Sequence, residues 1–261
     1  MTAPIPRDIP DLPALPRTSP HLLPSAVPAR AVVPLARRPV AAAYRLVLAL
    51  LAAGAVLIEI LAGSPGRVLS YFAIQSAVLL AVVMLASARR AWLARHPVPG
   101  ALTAATLLYV GMAALVHHLL LADATPRFSM TDGSAGPTWL EPLAAHTLYT
   151  VLPVATLLDL LLLSPPARTH LRQAATWLLY PLAYLAFSLA RGELLPGSPA
   201  RYLYPFLDVV RHGYRNVLAN ALLLGLAFYA LAVLIVALDH VRPDPVRHRP
   251  KTGFRLQPPV G

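Results

Sequence analysis

The sequence predicts an all-α fold: a polytopic membrane bundle of six transmembrane helices flanked by disordered termini. Three observations carry that prediction. Of the 261 residues, 57% are hydrophobic and only 13% are charged, whereas soluble domains carry about 25% charged residues. The apolar residues form runs of about 20, enough to cross a hydrocarbon core of about 30 Å as a helix. The arginines sit at the ends of those runs and in the two tails, not on a continuous face with interleaved aromatics. The last point excludes nucleic acid as the partner of the +11 net charge.

Residues 1–40 form the first region, a basic leader holding ten prolines. Each proline fixes φ and removes a donor, so a disordered, extended leader is expected. The transmembrane domain, 41–240, follows. Its six apolar segments lie at about 41–63, 68–88, 100–122, 140–163, 171–191 and 214–238. A polar loop containing 132-DGSAGP-137 separates the third from the fourth. Residues 241–261 form a basic tail. No cysteine is present, so disulfide and thiolate chemistry are excluded. No signal-peptide pattern opens the chain.

Arginine and lysine counts orient the bundle. Setting aside Arg45 and Arg215, near segment ends, the side bearing both tails holds fifteen basic residues and the opposite side five. The positive-inside rule therefore predicts a cell-membrane protein with both termini in the cytoplasm. An anionic-lipid role for the tails is the alternative reading of the same charges.

With that orientation, depth follows from the rise per residue. Ser70, Ala73 and Ser76 lie about 3, 8 and 12 Å below the outer boundary, and His146 about 9 Å below it. Glu59 and the pair His117–His118 fall in the same outer third, and Asn220 lies about 10 Å from that side. Ionisable groups cost about 2.5–3.5 kcal/mol each inside a bilayer and normally face a bundle interior or wet cavity. Taken singly, each polar residue reads as an interhelical hydrogen bond; together, at one depth, they read as a pocket. A hydroxyl and an imidazole at equal depth are the minimum for nucleophilic catalysis. Ser76 and Ser70 are candidate nucleophiles, His146 is the candidate base, and Gln75 a candidate oxyanion donor. The opposing expectation for Ser76 is a bond to its own i−4 carbonyl.

Glu59, His117 or His118, and His146 form a rival metal set. Adjacent histidines point to different helix sides and no i, i+4 pair exists, so no metal and no cofactor is expected. Asp159 is expected to pair with an arginine or interfacial water. Pro153 and Pro181 are expected to bend their segments and free carbonyls toward the interior. At the outer rim, Asp208 is expected to pair with Arg191 or Arg211.

The pieces 71-YFAIQS-76, 116-VHHLLL-121, 146-HTLYTVLPVATLLDLLL-162, 177-WLLYPLAYLAFSLARG-192, 204-YPFLDV-209 and 213-GYRNVLANALLLG-225 appear in an order that resembles the bacterial Pr6Pr family of membrane proteins. That family is related to the FAR-17a/androgen-induced gene 1 (AIG1-like) superfamily. The resemblance runs from about 45 to 240 and covers neither tail. It implies an intramembrane threonine hydrolase of lipid esters, with a long-chain fatty acyl ester as substrate and membrane lipids as partners. The family's histidine falls on His146. Its threonine falls on Ala73, whose methyl group offers no nucleophile, so the resemblance implies a hydrolase-like protein that is inactive or altered, with Ser76 or Ser70 in the vacated role. The alternative is a non-catalytic lipid-binding, sensory or structural membrane protein. A transporter is the weakest reading, because the polar residues cluster on one side instead of lining a path.

Overall fold

A computed structural model describes residues 37–121, 128–130, 139–167, 169–195 and 201–242. Nearly all of the expected disordered leader and tail, and the 132–137 loop, lie outside the described residues. Every regular element among the described residues is helical.

Helix α1 spans Pro39–Ala62 and opens on a proline at its first turn, where the missing N–H costs nothing and the fixed φ already suits the helix. Its buried positions recur every three or four residues: Ala41, Arg45, Leu48, Ala52, Ala55 and Glu59. A single turn, Pro65–Val68, reverses the chain into α2, Phe72–Trp92. Buried along α2 are Ala73, Ala77, Leu80, Met84 and Ala88. The two helices pack together more extensively than any other pair. Lipid offers no hydrophobic drive for helices to associate, so the small side chains on both let the backbones approach closely enough for dispersion to hold them. Past the end of α2, Ala94 takes a left-handed φ of 51°, a helix-stop geometry that glycine usually occupies.

Helices α3 (Gly100–Leu121), α4 (Leu140–Leu163) and α7 (Val209–Val241) complete a set of five that are long and apolar enough to cross a membrane. The fifth predicted segment is divided. It forms α5, Leu171–Trp177, and α6, Leu179–Leu194, with the break at Leu178. The physical reason lies three residues on: Pro181 has no N–H to give the Trp177 carbonyl. That freed carbonyl accepts instead from the Tyr109 hydroxyl of α3, at 3.0 Å.

The same event occurs on α4. Pro153 cannot donate to the Tyr149 carbonyl, and the ring nitrogen Nε2 of His118 on α3 lies 3.2 Å from that oxygen. Here the local helix is widened. One π turn covers His117–Leu121 at the end of α3, another covers Thr147–Val151 on α4, and a third covers Asp159–Leu163. Both prolines thus free carbonyls, as expected, and one neighbouring helix supplies the partner for each.

The last helix is capped by Asp208, whose Oδ1 accepts from the backbone N–H of Val210 at 3.0 Å and of Arg211 at 3.3 Å. Gly213 then kinks it with a φ of 74°. Beyond the kink α7 packs on α3 and α5, and most of its surface is left facing outward.

A buried polar knot ties the opposite ends of α1, α4 and α7. Arg45 donates from Nε to Asp159 Oδ1 at 2.8 Å and from Nη2 to Oδ2 at 3.3 Å. Ser164 Oγ bridges the pair, accepting from Arg45 at 2.9 Å and donating to Asp159 at 2.8 Å. Asp239 accepts from the N–H groups of Ala167 and Thr169, at 3.1 and 3.0 Å. Arg242 joins Asp239 at 3.4 Å and donates to the Ser164 carbonyl. The partner expected for Asp159 is therefore an arginine from the first helix.

Candidate functional site

A cavity of about 340 Å³ lies among α3, α5, α6 and α7. Its walls are apolar, with Met112, Val116, Leu182, Leu185, Gly225 and Phe228 among them. An apolar cavity of about 150 Å³ already stays dry and accepts a benzene-sized guest, so this one has room for more than twice that bulk. Only three lining residues carry polar side-chain atoms: Tyr149, Tyr184 and Tyr204. No charged side chain lines it among the described residues.

The tyrosine side of the cavity merges into an aromatic cluster that begins at the opening of α2. Phe72 meets Tyr184 at 5.2 Å between ring centroids, and Tyr204 stacks on Phe206 at 5.3 Å. Edge and offset contacts of this kind add about 0.5–1.5 kcal/mol per pair beyond burial. Tyr184 donates to the Ser70 carbonyl at 3.0 Å. Burial pushes the Tyr204 hydroxyl above its ordinary pKa, so it stays a neutral phenol. The cavity's polar surface is thus made of uncharged hydroxyls.

The residues singled out by depth do not line this cavity. Ser76 is fully buried, and its hydroxyl donates to the Phe72 carbonyl at 2.7 Å, the i−4 bond set against its nucleophile role. Ser70 does the same with Gly66, at 2.7 Å. Ala73 is buried in the first turn of α2. Gln75 links helices: it donates to the Leu69 carbonyl at 3.0 Å and accepts from the Tyr180 hydroxyl at 2.8 Å. His146 and Asn220 are exposed, and their side chains make no hydrogen bond among the described residues. The structure therefore does not bring Ser76 and His146 together.

It does bring His117, His118, Tyr149 and Thr150 together. His117 stacks on Tyr149 with centroids 3.9 Å apart and planes 1° off parallel. His118 Nε2 lies 3.2 Å from Thr150 Oγ1 as well as from the Tyr149 carbonyl. Those two contacts compete for one nitrogen. A carbonyl oxygen only accepts, so it requires Nε2 to carry the proton, and a protonated Nε2 cannot take one from Thr150. With Nε2 protonated His118 donates to the Tyr149 carbonyl, and with Nε2 bare it accepts from Thr150; the nitrogen serves one of the two at a time. Glu59 is buried, and its Oε2 has no partner among the described residues. No cluster of three or more metal-ligating side chains occurs among the described residues. At the rim, Asp208 pairs with Arg211 at 3.4 Å, and Arg191 donates to the Arg201 carbonyl at 3.2 Å.

Thr150, Tyr184, Tyr204 and Gly225 escaped reading by depth. Thr150 stands four residues after His146, and Gly225 ends the last quoted motif, but neither carried a signal of its own. The fold and site define the class: a helical membrane protein with several spans and an uncharged apolar cavity. No protein-family model, no curated protein and no solved structure matches the chain.

Proposed function

We propose that this protein is a lipid-binding membrane protein that takes the apolar part of a neutral lipid into the cavity between α3, α5, α6 and α7. In this reading α5 and α6 together make a sixth, broken crossing, and both termini lie in the cytoplasm at the cell membrane. The observation that carries the reading is the cavity of about 340 Å³ with no charged side chain in its lining among the described residues. A carboxylate or phosphate drawn into it would be left without a counter-charge, which is prohibitive in a low-dielectric site. A neutral chain finds apolar walls for most of its length, and its uncharged polar end leaves no ion without a counter-charge.

Ester hydrolysis, which the family resemblance implies, is the less favoured reading. It needs a free imidazole nitrogen beside a hydroxyl. In the one such hydroxyl–imidazole contact among the described residues, Thr150 to His118, the Tyr149 carbonyl competes for the same nitrogen at the same distance.

The test uses the full-length protein in detergent with hexadecyl acetate, a neutral long-chain ester, followed by native mass spectrometry and by assay for released acetate. A Cβ built at Gly225 meets nothing within 4 Å, so Gly225→Phe fills the cavity without a backbone clash. The parent is expected to hold the ester and the variant to lose at least about tenfold in affinity, the equivalent of about 1.4 kcal/mol. Equal ester binding in both would refute the cavity as the site. Acetate release abolished by Thr150→Val would replace binding with catalysis.

A further inference from the structure

The end of the bundle that carries the polar knot also gathers guanidinium groups that no carboxylate among the described residues neutralises. The backbone N–H of Arg38 donates to the Ala91 carbonyl at 3.1 Å, and this bond sets the start of α1 beside the end of α2. Arg37 and Arg38 thereby come next to Arg89 and Arg90, and all four are exposed. Arg90 reaches only the Pro97 carbonyl, at 3.5 Å. None of the four is in an ion pair among the described residues.

Among the described residues the carboxylates are engaged or distant. Asp159 and Asp239 are buried and bound to Arg45 and Arg242. Glu59 stands twenty residues along α1 from Pro39, about 30 Å away at the helical rise. Glu141, at the first turn of α4, belongs to that same far end.

Beside Arg38 runs a surface groove of about 310 Å³ between the first turn of α1 and the last turn of α4, lined by Pro39, Val40, Ala41, Leu162 and Leu163. Val40 and Leu162 are each 75% exposed. A guanidinium at the head of a groove whose walls are aliphatic, at the end of two spanning helices, has the charge and polarity profile of one phospholipid molecule.

We infer that this groove is a binding site for an anionic phospholipid of the adjoining leaflet. Arg38 contacts the phosphate, Arg89 and Arg90 supply further positive charge, and one acyl chain lies along Val40 and Leu162. Arginine suits the task because its planar fork donates two parallel bonds to phosphate oxygens. The inference is independent of the internal cavity, which lies elsewhere in the bundle and excludes charge.

Arginines at this end also serve as orientation signals during insertion, and a signal used only then leaves no lipid preference in the folded protein. The test therefore uses purified full-length protein in detergent. Its thermal midpoint is measured with added phosphatidylglycerol, phosphatidylcholine or inorganic phosphate. Phosphatidylglycerol alone is expected to raise the midpoint.

Each basic residue beside an anionic headgroup contributes about 1 kcal/mol, roughly five-fold in affinity. Replacing Arg38, Arg89 and Arg90 together by Gln is thus expected to weaken phosphatidylglycerol binding about a hundred-fold. Arg211→Gln, at the opposite end, is expected to leave it unchanged. Should the triple variant fail to fold, Arg38→Gln alone, with bound phosphatidylglycerol counted by native mass spectrometry, is expected to lose about five-fold by the same reckoning. An equal response to phosphatidylcholine, a response to inorganic phosphate alone, or full phosphatidylglycerol binding after loss of Arg38 would each overturn the inference.

Discussion

Removing Asp159 strands a buried guanidinium. Arg45 is 7% exposed and Asp159 1%, and their two hydrogen bonds, at 2.8 and 3.3 Å, are the main compensation for taking both ions out of water. In Asp159→Leu, Arg45 keeps only the Ser164 hydroxyl, so the variant bears a nearly uncompensated charge. Breaking such a pair from one side costs about 3–5 kcal/mol, whereas replacing both partners by apolar groups of similar volume is often neutral or stabilising. At about 2–4 °C per kcal/mol for a chain of this size, Asp159→Leu is expected to lower the thermal midpoint of the detergent-solubilised protein by about 6–20 °C. Arg45→Met is expected to fall in the same direction, and the double variant to recover most of the loss. Three midpoints read by tryptophan fluorescence, with limited proteolysis as a check on compactness, complete the cycle. A double variant less stable than both singles would refute the reasoning, because it would mean that the ion pair itself, and not the stranded charge, sets the energy.

Two further outcomes follow from single positions. Ala94→Gly relieves a left-handed residue at the stop of α2; it is expected to raise stability by about 1 kcal/mol, and a lower thermal midpoint would contradict that. Glu59→Leu removes a buried carboxylate whose Oε2 has no partner among the described residues. It is expected to raise the midpoint by the equivalent of about 1–3 kcal/mol, and a fall would show that the carboxylate is satisfied.

Much of the skeleton was legible before any coordinates. Five of the expected segments emerge as helices of spanning length because run length and the rise per residue are properties of the chain alone. Asp159, Pro153, Pro181 and Ser76 each behaved as local chemistry demands: a buried acid took an arginine, two prolines released carbonyls, and a membrane serine bonded backward along its own helix.

The site was less legible, for a reason of the same kind. Depth can be counted from residue numbers, but azimuth cannot once a helix widens. One extra residue in a turn rotates everything after it by about 100°, and α4 contains two such turns. Depth placed His146 at the level of Ser76, but His146 stands just before both widened turns, so the face it shares with the rest of α4 cannot be counted from residue numbers. The cavity was hidden more deeply, because its walls come from six helices whose mutual spacing depends on packing that no single segment encodes. The break at Leu178 falls three residues before Pro181 and is one residue long, with Leu178 itself keeping helical φ and ψ.

The two proline-freed carbonyls share an anchor. Tyr109 and His118 belong to one helix, and each holds a carbonyl that a proline released on a different neighbour. A lone kink is a soft joint that flexes on its own account. Two carbonyls moored to a single strut are coupled: a slide of α3 along its axis would tug at α4 and at the α5–α6 break together, and Tyr149 and Tyr184, which line the cavity, ride on the pieces that would move.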